Sequence, residues 1–589
     1  MALSDAFQTS FSYFSRVKLQ PTMLEEPKKQ WIHEPADEEA VLQLQEALRI
    51  APVFCRLLVQ RGIFTFDAAK QFFRPDWADL HDPFLMKDMQ QATDRLATAI
   101  QKKEKILLYG DYDVDGVTSI ALMHSFLEPL GAELDFYIPD RYKEGYGLSH
   151  EGIEYAKAQG ATLLIAMDCG ITAREEARRA KGYGIDLIIC DHHLPGQLLP
   201  DAYAILDPKR PDCNYPYPEL SGCGVAFKLA QAYAISHHLH PSALEALLDL
   251  LAISIAADIV PITGENRTLA ALGMQRLNRT ERTGLKALIE QSGRQHPLNV
   301  SDIVFGLAPM INAAGRLADA GQAVRLLLSG EAEAAAGFAR ILEYRNQLRR
   351  EFDQRVAEEA RELIAEDPEW SQRRSIVLFQ PHWHKGVVGI VASRMVEQFN
   401  RPAVILSESE GRLVGSARSV SGFDLYEGLR ACQDLLLSFG GHTHAAGLSL
   451  MPQNLPLFIE RFENIAQLAL AQTAPTPVIH IGAEIALKDI TPKFWNILRQ
   501  FAPFGPGNRS PVFVAKGVVN AGYSRLLNGN HLRLSVKQGD APIFNGVAFG
   551  QGDALAKVQS GKAFDICFTI EEQTWEERTS LQLMVKDIQ

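Results

Sequence analysis

Residues 106–116 read Ile-Leu-Leu-Tyr-Gly-Asp-Tyr-Asp-Val-Asp-Gly. An apolar run ends in a tight loop carrying Asp111, Asp113 and Asp115, and an amphipathic segment from Val117 to Leu127 follows. Three carboxylates alternating at a strand end repel one another unless a cation sits among them. The loop therefore predicts a hard divalent metal, and the metal predicts chemistry on phosphate or a similar oxyanion. Asp-x-Asp-x-Asp-Gly also opens an EF-hand calcium loop, with Gly116 in the turn position. That motif needs a carboxylate at its twelfth position, here Leu122, and a helix before the loop, where residues 105–110 read as a buried strand. A solvated acidic turn is the plain alternative. The rest of the chain decides against it.

The loop belongs to a larger pattern. Apolar runs at 105–110, 134–138, 162–167, 185–190 and 202–206 alternate with helical or loop segments. This predicts a mostly parallel α/β sheet covered on both faces. Ligands of such sheets bind at the carboxyl ends of the strands. Read that way, the first strand delivers Asp111, Asp113 and Asp115. The third ends in Asp168-Cys169-Gly170 and the fourth in Asp191-His192-His193, while a helix over Leu247–Ala257 ends in Asp258. A lone Asp there is often a helix cap and a lone His usually structural, but the joint pattern is harder to reach by chance. Two divalent cations about 3.5–4 Å apart need a bridging carboxylate and separate terminal ligands. A mixed Asp/His shell suits Mn²⁺ as well as Mg²⁺, because imidazole adds a softer nitrogen donor. The second histidine can stay off the metal as phosphate ligand or proton donor.

At 589 residues the chain is too long for one core, and three or more domains are expected. Residues 1–40 read as a polar leader and 40–100 as short helices. Ala243–Ala257 reads as a helix. Residues 330–366 read as one or two long exposed helices linking domains. A second α/β unit follows, with strands at Ser375–Phe379 and Ala403–Leu406 around a helix at Val387–Phe399. Thr473–Pro477 reads as a linker, and short strands with Gly and Asn turns then predict a small β-barrel. No apolar run reaches the length of a membrane span and no secretory signal is visible. Seven cysteines without a CxxC pair argue against a disulfide framework or a zinc ribbon and for a reducing cytoplasm.

Net charge is −12, which alone weighs against a passive nucleic-acid coat. From Ile490 to Gly539, however, there is no Asp or Glu and there are seven basic residues: Lys493, Arg499, Arg509, Lys516, Arg525, Arg533 and Lys537. An acid-free basic region in an acidic protein can hold a polyanion. The same stretch carries Phe494, Trp495, Phe501, Phe504, Phe513 and Tyr523, whose faces could stack on unpaired bases. Phe513 reads as barrel core. The Pro-Phe-Gly-Pro-Gly-Asn loop at 503–508 and the segment Arg525–Lys537 are the stronger candidates for contact.

Asp-Tyr-Asp-Val-Asp-Gly, Met-Asp-Cys-Gly, Asp-His-His and Ala-Ala-Asp at 256–258 resemble the four motifs of the DHH phosphoesterase family. Gly440-Gly441-His442-Thr443-His444-Ala445-Ala446-Gly447 resembles the glycine-rich motif of the DHH-associated domain. Gly-Cys-Gly-Val-Ala-Phe-Lys (222–228), Asn-Ala-Ala-Gly-Arg (312–316) and His-Lys-Gly-Val-Val-Gly-Ile-Val-Ala-Ser-Arg (384–394) complete an order similar to the bacterial single-strand-specific DNA exonucleases of that family, from about residue 70 onward.

The resemblance implies an N-terminal leader with helices to residue 70 and a parallel-sheet DHH domain over 71–328. Linker helices would follow over 329–370, a smaller α/β DHH-associated domain over 371–472, and an OB-fold barrel over 473–589. It implies two divalent cations, Mg²⁺ or Mn²⁺. Asp113 and Asp168 would hold one, with Asp111 close by; Asp115, Asp168, His192 and Asp258 would hold the other, Asp168 bridging. His193 would face the scissile phosphate. Related pyrophosphatases carry a histidine where this sequence has Tyr109, which changes the shell of the first metal and makes Asp111 the candidate substitute. Arg316, Arg418, Ser419, Gly441 and His442 match phosphate-contact positions of the family, whose second domain grips the nucleotide chain. Arg525, Arg533 and Lys537 fall in the OB-fold.

The implied activity is 5′→3′ degradation of single-stranded DNA to 5′-mononucleotides in recombination and repair, by a cytoplasmic monomer. Its implied partners are single-strand-binding protein and a RecQ-type helicase. Two other readings share the motifs. One is a DHH phosphodiesterase of short oligoribonucleotides or cyclic dinucleotides, which the C-terminal barrel counts against. The other is a non-catalytic replication scaffold, which the intact Asp and His positions count against.

Overall fold

The computed structural model describes residues 29–317, 319–471, 477–575 and 578–589. Residues 1–28 of the expected leader and 472–476 of the expected linker lie outside them. The chain divides into two compact units, one of Trp31–Glu351 with His480–Gln589 and one built on Phe352–Ile479.

In the first unit β1 (Lys105–Gly110), β2 (Glu133–Tyr137), β3 (Leu163–Met167), β4 (Asp186–Cys190) and β5 (Ala204–Leu206) form a sheet in the order β2-β1-β3-β4-β5. Every pairing is parallel. Alternate residues feed two cores. Ile106, Leu108, Ile165 and Ile188 enter one, and Leu107, Tyr109, Leu164 and Ile189 the other. Burial on both faces is why these strands read as unbroken apolar runs. Register sets Gly110 beside Met167, Met167 beside Cys190 and Cys190 beside Leu206. The next residue on each of those four strands is an aspartate, so Asp111, Asp168, Asp191 and Asp207 emerge along one edge.

Helices α1 (Val114–Leu127), α2 (Gly222–Ser236), α3 (Leu248–Ala257) and α4 (Gly264–Leu277) cover one face. The segment expected to be amphipathic, α1, is buried nearly all round; it packs on β1, α2 and α3 and leaves only His124 and Ser125 half-buried. The helix expected over 243–257 is broken into Ser242–Glu245 and α3. After α5 (Ala308–Leu317) the expected linker is a single helix, α6 (Ala332–Glu366). It is not simply exposed. Ala335, Ala339 and Leu342 join the core of the first unit, and Val356, Ala357, Ala360 and Ile364 that of the second.

The second unit contains β6 (Ile376–Phe379), α7 (Val388–Phe399), β7 (Ala403–Ser409), β8 (Arg412–Arg418), β9 (Leu436–His442) and β10 (Ala445–Leu450), in the sheet order β9-β10-β8-β7-β6. α7 lies between β6 and β7, as the sequence predicts; those two strands pair in parallel, and the other pairs are antiparallel.

The chain returns to the first unit through β11 (Ala483–Glu484), β12 (Phe513–Asn520), β13 (Arg525–Leu527), β14 (His531–Lys537), β15 (Phe544–Ala548), β16 (Phe564–Trp575) and β17 (Arg578–Ile588). Their order is β11-β12-β16-β17-β15-β14-β13, and a further pairing of β12 with β14 closes the barrel. Helices Glu38–Leu48, Pro52–Val59 and Phe66–Phe73 share one core with it, with Phe54, Leu58 and Phe72 packed among Phe494, Phe501 and Phe513. The sequence predicts these helices as a region apart from the barrel; the shared core joins the two.

Candidate metal centre and phosphate-contact groups

The acidic loop is shaped by its own hydrogen bonds. Asp113 caps α1, its Oδ1 accepting from the Asp115 N–H at 2.9 Å and the Gly116 N–H at 3.2 Å. Asn312, in the 312–316 motif on α5, accepts from the Val114 N–H at 3.2 Å. Asp115 sits at the N-terminus of α2. It accepts from the Gly222 N–H at 2.7 Å, the Cys223 N–H at 2.9 Å and the Ser254 hydroxyl at 2.7 Å. Free amides at a helix start favour an anion there. Residue 222 must be glycine because a Cβ would stand 2.5 Å from the Asp168 Cβ.

Four of the predicted ligands converge. His192 Nε2 lies 3.3 Å from Asp168 Oδ1, 3.6 Å from Asp258 Oδ2 and 3.9 Å from Asp115 Oδ2. Asp168, His192 and His193 can each aim a ligand atom at one point, as can Asp115, His192 and Asp258. Asp111 and Asp113 join neither group. Asp111 is wholly buried, and among the described residues neither carboxylate oxygen has a hydrogen-bond partner. Asp113 is half-buried and occupied as the cap.

Electrostatics ties the cluster together. Burial, then the charge of Asp113, pushes Asp115 up to about 6. Burial and neighbouring carboxylates raise Asp111, Asp168 and Asp258 well above the ordinary range. Burial, then the charge of His193, pushes His192 down to about 3. So many mutually repelling carboxyls beside a neutral imidazole, with the His192 ring nitrogens and Asp111 oxygens lacking hydrogen-bond partners among the described residues, fit divalent cations with oxygen and nitrogen ligands. The backbone is also strained here. Asp168 and Ile259 have φ near 60°, a left-handed conformation costing about 1–2 kcal/mol for such residues.

His193 is held differently. Its Nδ1 lies 2.7 Å from Asp191 Oδ1. Asp191 also accepts the N–H groups of Ile171, His192 and His193, so it is engaged by the protein on both oxygens. Burial opposes charge on both partners, but their hydrogen bond and attraction outweigh it, holding Asp191 below and His193 above their ordinary values. On the far side His193 Nε2 lies 3.0 Å from the Tyr146 hydroxyl, which also bonds the Asp168 carbonyl at 3.2 Å.

Sequence reasoning missed Tyr146, the orienting role of Asp191, and Ser254. It also missed Asp207, a buried carboxyl that burial pushes up to about 7. The only sequence signal for Tyr146 was its place between Gly145 and Gly147, both at positive φ. Tyr109 does not face the cluster. It is buried in the opposite core, its hydroxyl donating to the Gly147 carbonyl at 2.8 Å.

The phosphate-contact candidates fall in three places. Arg316 is on α5, where its carbonyl accepts from the Tyr142 hydroxyl. In the second unit Arg418, Ala445 and His442 are register neighbours across β8, β10 and β9. Arg418 donates to Ser416 Oγ at 2.7 Å, and Ser419 donates through Oγ to the Phe423 carbonyl at 2.6 Å. Gly441 has φ 144°, and a Cβ there would stand 2.3 Å from the Ala445 carbonyl oxygen. Burial, then the charges of His444 and Arg418, lowers His442. On the barrel Arg525 and Arg533 are direct register partners and both are exposed, as is Lys537. None of the three has an ion-pair partner among the described residues.

The surrounding aromatics are mostly core. Phe494, Phe501 and Phe513 are buried, while Tyr523 is 73% exposed. The 503–508 loop is turned inward rather than offered for contact. Asn508 is buried, and the Pro506 carbonyl accepts from the Ile262 N–H at 2.7 Å.

Three family models match in chain order: the DHH family N-terminal domain over 105–255, the DHHA1 domain over 373–468 and the RecJ OB domain over 481–587. The Bacillus subtilis single-stranded-DNA-specific exonuclease RecJ is 40% identical, over 95% of this chain and 71% of that protein. The Escherichia coli exonuclease of the same name is 33% identical, over 92% of this chain and 96% of that protein. The chain belongs to the RecJ family. A crystal structure of Thermus thermophilus RecJ in complex with Mn²⁺ superimposes with a TM-score of 0.81 at 28% identity, covering 96% of this chain and 80% of that one. A manganese-bound RecJ exonuclease covers 68% of this chain and 99% of its own, with a TM-score of 0.58 at 33% identity. The RecJ architecture thus accounts for the parallel sheet, the second α/β unit and the closed barrel. Among the described residues no helix is long and apolar enough to cross a membrane.

Proposed function

We propose that this RecJ-family chain is a metal-dependent exonuclease that degrades single-stranded DNA in the 5′→3′ direction to 5′-mononucleotides. The observation that carries this reading is the convergence of Asp115, Asp168 and Asp258 on one buried imidazole, His192. RecJ relatives are named single-stranded-DNA-specific exonucleases, and solved RecJ structures hold Mn²⁺ or Mg²⁺.

Two divalent cations, Mg²⁺ or Mn²⁺, would be held here, Asp113 and Asp168 with Asp111 close by serving one, and Asp115, Asp168, His192 and Asp258 the other. When bound, such ions neutralise phosphate charge and lower the pKa of water enough to make it a nucleophile at neutral pH. The chain's own residues do the rest. The amides of Gly222 and Cys223 and the Ser254 hydroxyl fix the rotamer of Asp115. Asp191 keeps a proton on His193 Nδ1 and orients the ring, so that Nε2, which lies beside the Tyr146 hydroxyl, is the edge that can donate to a phosphate oxygen or a leaving oxygen when substrate takes the place of that contact. Arg316, Arg418, Ser419, Gly441 and His442 bind phosphates of the strand. Arg525, Arg533 and Lys537 track the backbone of unpaired DNA further along.

The domain division proposed is a leader with helices to 70, a DHH domain over 71–328, linker helices over 329–370, a DHH-associated domain over 371–472 and an OB-fold over 473–589. The protein is proposed to act as a cytoplasmic monomer in recombination and repair, beside single-strand-binding protein and a RecQ-type helicase. The basic barrel surface favours a polymeric substrate over cyclic dinucleotides.

The test is digestion of 5′- and 3′-labelled single- and double-stranded DNA with Mg²⁺ or Mn²⁺. Single strands should be consumed from the 5′ end, and Asp113→Ala should lower the rate at least ~100-fold, since nucleophile activation depends on the ligand set. Near-normal activity of that variant refutes the metal assignment, and consumption from the 3′ end refutes the polarity.

A further inference from the structure

Asp258 is the candidate ligand least supported by its own element. It stands at the end of α3, outside the sheet, and the next residue, Ile259, has φ 60°. A carboxylate at such a place is fixed only if the chain beyond it is fixed. Four residues beyond Asp258, at Ile262, that chain meets the barrel module.

The Ile262 N–H donates to the Pro506 carbonyl at 2.7 Å. Gly505 lies against the Ile262 side chain so closely that a Cβ would stand 2.5 Å from its Cδ1. The loop making these contacts is braced by its own hydrogen bonds. Gly505 and Asn508 exchange two backbone hydrogen bonds of 3.0 Å, and the buried Asn508 amide donates to the Phe501 and Pro503 carbonyls at 2.8 Å each. Arg61 closes the back of the loop, donating to Asn508 Oδ1 at 2.7 Å. A second attachment lies on α4. Buried Arg267 donates to the Phe501 carbonyl and the Phe72 carbonyl at 2.9 Å each, its guanidinium 3.5 Å from the Phe72 ring centre. The turn between α3 and α4 is thus clamped from the barrel side at Ile262 and at Arg267. The same turn is tied to the catalytic lobe through the Tyr217 hydroxyl, which bonds the Pro261 carbonyl at 3.1 Å.

We infer that the Pro-Phe-Gly-Pro-Gly-Asn loop is a positioning element for Asp258, so that cation affinity at the Asp115/His192/Asp258 group depends on its docking against Ile262. The inference rests on the reading of Asp258 as a metal ligand. Residues that orient ligands without touching the metal are worth about 10–100-fold in metal affinity. The loop reaches Asp258 through three residues of a strained turn, so an effect of about tenfold is expected.

The experiment measures Mn²⁺ binding to the full chain by calorimetry without DNA, and single-strand affinity in EDTA. Four variants are compared: Gly505→Val, Gly505→Val with Ile262→Ala, Asp258→Asn, and Val585→Ala as a buried barrel substitution away from the loop. Gly505→Val should weaken Mn²⁺ binding about tenfold with single-strand affinity unchanged, and Ile262→Ala should restore binding by making room for the added methyls. Should Gly505→Val fail to fold, Ile262→Ala alone removes the same contact without adding atoms and should weaken Mn²⁺ binding severalfold. The inference is overturned if Asp258→Asn weakens Mn²⁺ binding while the loop variants do not, if Val585→Ala weakens it equally, or if Gly505→Val lowers only single-strand affinity. If Asp258→Asn itself leaves Mn²⁺ binding intact, the ligand reading of Asp258 fails, a result distinct from the other three.

Discussion

Asp115 shows how a carboxylate with every lone pair in demand is held ready in a buried site. Two amides of α2 and the Ser254 hydroxyl fix it, and those amides reach it because α2 begins with a residue that lacks a Cβ. Gly222→Ala would push a methyl into Asp168, the residue proposed to bridge both cations. We expect this change to lower exonuclease activity at least ~100-fold and to reduce thermal stability, since it overpacks a buried site. Ser254→Ala removes one hydrogen bond of three and should cost about 1 kcal/mol, less than tenfold in activity. Comparable losses in both variants, by initial rate on single-stranded DNA, would contradict this. The aspartates and histidines were legible in the sequence because their types and spacing carry the chemistry. Ser254 and Tyr146 were not, because a lone hydroxyl gains its meaning only from what lies beside it in space. Tyr109 is legible in the sequence too: strand alternation puts it with Leu107, on the face away from α1, where it packs in a core and does not face the cluster.

At the scale of elements, the strands were readable because burial on both faces removes polar residues from them, and the register then lines up four aspartates without further instruction. Helices were harder. Helix α1 lies between β1 and α2, α3 and the helix Gly321–Leu328, so it lost the polar face that periodicity needs, and the expectation of amphipathicity failed there. Helix α2 contains a charge that no pattern would place inside. Lys228 is wholly buried with Glu265 of α4 at 2.9 Å, donates to the His81 carbonyl at 2.7 Å, and faces a carboxylate that also accepts from the Tyr215 hydroxyl. This pair ties α2, which fixes Asp115, to α4, which follows Asp258. Burial lowers Lys228 from its ordinary value, and Glu265 partly restores it. Lys228→Met keeps the volume but leaves the buried Glu265 carboxyl without its cation. It should destabilise the fold by about 3–5 kcal/mol in urea denaturation. A change under about 1 kcal/mol would show that the pair is energetically idle.

For the molecule as a whole, the order of modules along the chain was legible but their packing was not. Helices near residue 50 share a core with strands beyond residue 510, and no local pattern announces a partnership over that separation. The acid-free stretch was misread in part for the same reason. Its Phe residues fill that core and its glycine-rich loop docks on the turn after Asp258, which leaves the basic hairpin β13–β14 as the outward-facing feature. There Arg525 and Arg533 stand opposite one another, an arrangement of like charges that weakens a strand pair unless an anion lies across it. A single strand of DNA supplies that anion along its length. Exchanging Arg525, Arg533 and Lys537 for Glu should therefore act on binding and spare the fold, since all three side chains are exposed. Removing one neutralised phosphate on a single strand lowers the slope of log affinity against log salt by about 0.7, so the triple variant should flatten it by about 2. Affinity should fall most at low salt and converge toward that of the unmodified protein as salt rises. Fluorescence anisotropy of labelled oligonucleotides across a salt series measures the slope directly, and an unaltered slope would remove the hairpin from the DNA path.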